Sequence, residues 1–177
     1  MKQIIVLIGI MFWLLTSHCI IAQTLRVQSI ELNKVIIKND NLTKVIANSI
    51  EYIKCCENYH DSLLFIINAI KKESDIYIDF TYATNLSVAL DLEKNPYGFF
   101  NYKTHYFFLY CNDSLGLFEK TNETKYFEID KVNEYLMVED RPEWLYKLKG
   151  SDYLLIEMIN QCMNEKGKIV KFKSNIK

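Results

Sequence analysis

The chain has 177 residues and a formal net charge of −1; half of its residues are hydrophobic and 14% are aromatic. That balance leaves no basic excess to neutralise phosphates, which argues against nucleic-acid binding. So much apolar and aromatic material also favours a folded globule over a disordered tail.

Met1-Lys2-Gln3 precedes an apolar run from Ile4 to Leu15, and Thr16 to Ala22 then closes on a small residue before a polar one. A short basic start, a dozen apolar residues and a small-residue boundary form the pattern of a secretory signal peptide. The expected cut follows Ala22, so residues 1–22 read as signal and 23–177 as a single domain. Two rivals are weaker. As a permanent anchor, Ile4 to Ile21 is interrupted by Thr16, Ser17 and His18 and falls short of about twenty mostly apolar residues. Lipid attachment at Cys19 would place the bulky His18 where a lipoprotein peptidase expects a small side chain. The expected location is therefore secreted or periplasmic, with lipid anchoring through Cys19 as the alternative. No stable transmembrane segment is expected after cleavage.

Export to an oxidising compartment bears on the cysteines Cys55, Cys56, Cys111 and Cys162. The neighbours Cys55 and Cys56 would close a strained ring if paired with each other, so Cys111 with Cys162 is the bridge expected here. The competing reading is of buried thiols acting as small apolar groups.

Along the mature chain, Leu25 to Lys38 is rich in Val and Ile and reads as a strand. Asn39 and Asp40 offer an N-cap, and Leu42, Val45, Ile46, Ile50 and Ile53 follow at helical spacing. This predicts an amphipathic helix over 41–58. Ser62–Lys72 and Ile76–Thr84 flank the turn-like Lys72-Glu73-Ser74-Asp75 and read as a hairpin. Ser87–Leu92 suggests a further short strand. Asn95-Pro96-Tyr97-Gly98 is a turn signal, with the glycine closing it. Phe99 to Cys111 is aromatic strand material that can fold back near Lys103-Thr104. Leu115–Lys120 and Lys125–Ile129 read as a hairpin about Thr121-Asn122-Glu123-Thr124. Asp140 and Pro142 suggest the start of a short helix ending at Gly150. Tyr153–Glu165 has a polar stripe opposite Leu154, Leu155, Met158, Ile159 and Cys162, which predicts a second helix stopped by Gly167. Ile169–Phe172 alternates with lysines, as an edge strand would. The fold class expected is α+β: an antiparallel sheet packed by one long N-terminal helix, with one or two shorter helices near the C-terminus.

Three clusters carry chemistry. Cys56 and His60 are four apart and would share a helical face, which suits a thiolate and an imidazole base. A fraying helix end with a histidine near its C-terminus explains the same residues without catalysis. The aromatic run would align Phe100, Tyr102, Tyr106, Phe108 and Tyr110 on one face of an unbroken strand. Such a face stacks on sugars, although buried rings under a helix are ordinary core. Arg141 and Trp144 belong to residue types that dominate interaction hot spots. Asp75, Asp79, Asp91 and Glu93 show no spacing that sets one carboxylate opposite another. No phosphate loop, nucleophile elbow or zinc helix occurs, and no cofactor or metal is expected. The sequons at Asn41, Asn85, Asn112 and Asn122 matter only in a eukaryotic secretory route. The function expected is a small, exported, non-enzymatic binding module for a protein or glycan partner. Tyr102, Tyr106, Tyr110, Arg141 and Trp144 are its candidate binding residues. A cysteine-dependent enzyme and a structural envelope component are the alternatives.

Overall fold

The computed structural model describes residues 27–56, 59–90, 94–112, 115–130, 143–149 and 152–159, together with 161, 163, 166, 168 and 169. The expectations for the signal segment, Cys19, Asp91, Glu93, Asp140, Arg141, Pro142, Cys162, Gly167 and 170–172 lie outside these residues.

Eight strands form one mixed sheet: β1 (Val27–Ile37), β2 (Leu64–Lys72), β3 (Asp75–Ala83), β4 (Gly98–Tyr102), β5 (His105–Cys111), β6 (Phe118–Asp130), β7 (Glu143–Lys149) and β8 (Asp152–Ile159). Their order across the sheet is β6-β1-β4-β5-β2-β3-β7-β8. The β1–β4 and β2–β5 neighbours are parallel and the remaining neighbours antiparallel. Two short helices accompany the sheet: α1 (Asp40–Ile53) and the single turn α2 (Leu86–Ala89).

This overturns the α+β expectation, because strands make up 59% of the fold and helix only 18%. The 14 residues of α1 rise about 21 Å, whereas eight strands span roughly 34 Å, so among the described residues no long helix covers the sheet. Asn39 caps α1, its side-chain oxygen accepting from the Leu42 amide at 3.0 Å. The helix stops at Ile53 because the chain tightens into i→i−3 turns. The Cys55 and Cys56 amides donate to the Tyr52 and Ile53 carbonyls.

Two apolar clusters flank the sheet. On the side of α1, Leu42, Val45, Ile46, Ile50 and Ile53 pack with Phe65, Ile67, Phe80, Phe107, Leu109 and Trp144. On the opposite side, Ala89 and Leu90, in and after α2, cover Leu32, Phe99, Phe108, Phe127 and Ile129. Inside the first cluster the Phe65, Phe107 and Phe100 rings stack in sequence at 4.7 Å between centroids.

Three further expectations are corrected. The strand expected over Ser87–Leu92 is not formed in its described part, Ser87–Leu90: the Asn85 side chain accepts from the Val88 amide at 3.0 Å and starts the turn of α2. The polar Thr121-Asn122-Glu123-Thr124 is not a hairpin turn but a wide bulge within continuous β6. Register jumps from Asn33↔Thr124 to Val35↔Lys120, and Thr121 Oγ1 closes the gap by donating to the Lys34 carbonyl at 3.0 Å. Both C-terminal helices are absent from the described residues, their place taken by the antiparallel pair β7 and β8. In β8, Ile156 is a bulge residue, since Glu157 faces Leu145 while Leu155 faces Tyr146. The bulge puts Leu155 and Met158, three apart, on the same core-facing side, and that spacing imitates a helix.

Candidate functional site

The cysteine–histidine pair does not form a catalytic unit. Cys56 is disulfide-bonded, to a partner outside the described residues, and a bonded sulfur supplies no thiolate nucleophile. His60 lies beyond the helix, exposed, with its Nδ1 2.8 Å from Ser62 Oγ. Cys55 and Cys111 are thiols, so the bridge expected at Cys111 is not made. Cys111 instead lines an open cleft of about 460 Å³ with Ala69, Ile70, Lys71, Tyr110, Asn112 and Leu115. Among the described residues no group of three His, Cys, Asp or Glu side chains is placed to hold a metal.

His105 is buried, 2% exposed. Its Nδ1 lies 3.1 Å from the Leu63 carbonyl, which only accepts, so this nitrogen carries a proton. The Tyr59 hydroxyl sits 3.2 Å from Nε2 and donates to Asp61 at 2.9 Å. Burial first, then the Asp61 carboxylate, hold the Tyr59 phenol above its ordinary range. This chain of contacts ties the loop after α1 to β5.

The aromatic run divides between the two faces. The chain reverses at Lys103-Thr104, with Lys103 at φ 55°, so Tyr102 and His105 are direct partners. Reversal through two residues changes the parity. Phe100, Tyr102, Phe107 and Leu109 therefore face α1, while Tyr106, Phe108 and Tyr110 face away. Tyr102 is half-buried with the Lys103 ammonium 5.8 Å from its ring. The Tyr106 hydroxyl accepts from Lys125, and this contact lowers its pKa. Trp144 is fully buried, edge-on to Tyr52 and Phe80 at 5.7 and 5.4 Å, so it is a core residue and no surface anchor.

Sequence reasoning missed a different constellation, on the face away from α1. Cross-strand register sets Tyr110, Asn68, Asp79 and Leu145 side by side on β5, β2, β3 and β7. The next row toward the sheet's end holds Ile70, Tyr77, Lys147 and Leu154. Every one of these side chains is half-buried or exposed. Asn68 Nδ2 donates to Asp79 Oδ2 at 3.1 Å. Burial raises the Asp79 pKa, opposed by hydrogen bonds from Asn68 and the Phe80 backbone. Tyr110 donates its hydroxyl to the Ala89 carbonyl at 2.9 Å, which fixes the ring beside this pair. On the other side the Lys72 and Lys147 ammonium groups lie 5.7 and 5.6 Å from the Tyr77 ring centre, and Lys147 pairs with Asp75 at 2.5 Å. The signal was present in the chain: a hairpin turning at Glu73-Ser74 sets Asn68 opposite Asp79 by counting outward.

Among the described residues no helix is long and apolar enough to cross a membrane. No known protein family, curated protein or solved structure matches this chain.

Proposed function

We propose that this protein is an exported, non-enzymatic binding module, and that the sheet face bearing Asn68, Asp79, Tyr77 and Tyr110 binds a carbohydrate. The observation that carries the reading is the Asn68–Asp79 pair, half-buried between two tyrosines on the face away from α1, beside the patch that α2 covers. A sugar presents hydroxyls that both donate and accept, alongside apolar C–H surfaces. A carboxylate accepts, a carboxamide does both, and a tyrosine ring offers an apolar flank with a polar tip. A few fixed polar groups set among aromatic side chains are the usual makings of a small-ligand site. Asp79 also stands where burial disfavours its charge, and carboxylates in such positions concentrate at functional sites. Export is supported by the signal-like N-terminus and by the disulfide at Cys56, a bond that persists in oxidising compartments.

The test is binding of the exported form to an array of neutral and acidic oligosaccharides, beside Asp79→Asn and Asn68→Ala. Binding by the parent chain that falls at least about tenfold in both variants supports the reading, that factor corresponding to about 1.4 kcal/mol. Binding that survives both substitutions, or no binding to any sugar, rejects it.

A further inference from the structure

The cleft at the end of β5 follows from a difference in strand length. Ala69 and Cys111 are the last partners of the parallel pair β2 and β5. Strand β2 then runs on through Ile70, Lys71 and Lys72, paired with β3 alone among the described residues. The step left beside these three residues is the cleft, and the Leu115 amide, donating to the Asn112 carbonyl at 3.3 Å, holds its far wall. Its volume of about 460 Å³ falls within the range of small-molecule sites, roughly 300–1,000 Å³.

Two of its walls belong to the face already described. Tyr110 lies in the row of Asn68 and Asp79, and Ile70 in the row of Tyr77 and Lys147. Ile70 is exposed and Leu115 half-buried, and together they give the cleft an apolar side. Lys71 and Asn112, both exposed, supply a polar side: an ammonium that only donates and a carboxamide that donates and accepts. None of the described residues lining the cleft is acidic, whereas the far end of the Tyr110 row is, at Asp79. Charge therefore changes sign along the row, from carboxylate at Asp79 to ammonium at Lys71. The other lysines of this face are engaged, Lys147 with Asp75 and Lys72 against the Tyr77 ring. From β3 across β2 to β5 is two strand spacings, about 9–10 Å, which exceeds the width of one sugar ring.

On the carbohydrate reading above, on which this inference rests, we propose that the ligand is an acidic oligosaccharide of at least two units. Its neutral hydroxyls meet the Asn68–Asp79 pair, and its carboxylate-bearing ring enters the cleft beside Lys71 and Asn112. The opposite direction would bring the ligand's acid against the Asp79 carboxylate, and like charges so placed repel. In the cleft Lys71 donates to the acid, while Ile70 and Leu115 take the C–H surface of the ring.

Calorimetric titration of the exported form tests this with tetrasaccharides of galacturonate, mannuronate and hyaluronan. Each is compared with its methyl ester, which keeps the rings and removes the charge. The parent chain is set beside Lys71→Ala, Lys71→Arg and Asn68→Ala. The expected result is an acid bound at least about fivefold more tightly than its ester, as suits one charged contact in an open cleft. That preference should vanish in Lys71→Ala, persist in Lys71→Arg and shrink as salt rises, whereas Asn68→Ala weakens acid and ester alike. Equal binding of acid and ester by the parent, or a preference that survives Lys71→Ala, overturns the acidic assignment. The carbohydrate reading still stands in that case if Asn68→Ala weakens both ligands. No binding of any acid or ester also overturns the assignment, and neutral sugars on the array then decide the carbohydrate reading by themselves.

Discussion

Gly98 has no room for a side chain. It opens β4 as that strand runs parallel to β1, and a Cβ built there would lie 2.6 Å from the Asn33 carbonyl oxygen and 2.7 Å from Val35 Cγ1. Both distances fall below any ordinary carbon contact. The oxygen belongs to backbone held between β4 and β6 and cannot swing aside. Gly98→Ala must therefore push β4 away from β1 or twist the local backbone, and overpacking of this kind costs about 1–3 kcal/mol. In a domain of this size a loss of about 2 kcal/mol lowers Tm by roughly 4–8 °C. Thermal unfolding followed by circular dichroism measures this directly, with Gly116→Ala as the comparison. Gly116 has φ 66° but open space about it, so its alanine variant carries backbone strain without a clash. A Gly98→Ala protein melting within about 1 °C of the parent would refute the close parallel approach of β1 and β4.

Trp144→Ala should cost about 3–5 kcal/mol, enough to unfold much of the population in mild urea, because the indole is buried rather than displayed. Asp79→Asn should raise stability at neutral pH. A carboxyl whose pKa is raised in the folded state destabilises the fold above that folded pKa and has no such effect below the unfolded value of about 3.8. The gain in urea midpoint should therefore shrink as pH falls through that window; a gain independent of pH would contradict burial as its cause. Iodoacetamide followed by peptide mass mapping should label exposed Cys55 in the native protein, and Cys56 only after reduction. Labelling of Cys56 without reductant would show that its disulfide is absent. Asn85→Ala removes the cap of α2 and should cost about 1 kcal/mol in urea unfolding, a loss an isosteric Asn85→Asp would largely restore.

Local chemistry decided how far the sequence could be read. Alternation in Ile76–Thr84 and the turn-like Lys72-Glu73-Ser74-Asp75 located β3 and, through it, β2; aromatic composition with a fold-back near Lys103-Thr104 located β4 and β5, and Asn39 with Asp40 announced the start of α1. The errors share a cause in irregular strands. The Ile156 bulge turned the period of β8 from two to three, so Leu155 and Met158 matched a helix better than a strand. The bulge in β6 placed four polar residues mid-strand, where composition suggests a turn. Gly98 read as a turn closer, whereas its role is the close approach of two backbones, which a single sequence does not display. The candidate site failed for a related reason. Reversal at Lys103-Thr104 split the tyrosines between two faces, and Asp79 counted as a lone carboxylate until the hairpin register brought Asn68 beside it.

Carbohydrate binding at the Asn68–Asp79 face is tested most directly by backbone amide spectra recorded during titration with neutral and acidic oligosaccharide pools. Saturable shifts centred on Asn68, Tyr77, Asp79 and Tyr110, with Trp144 and the residues of α1 unmoved, are the predicted result. Shifts centred elsewhere, or spectra unchanged by every pool at millimolar concentration, would contradict it.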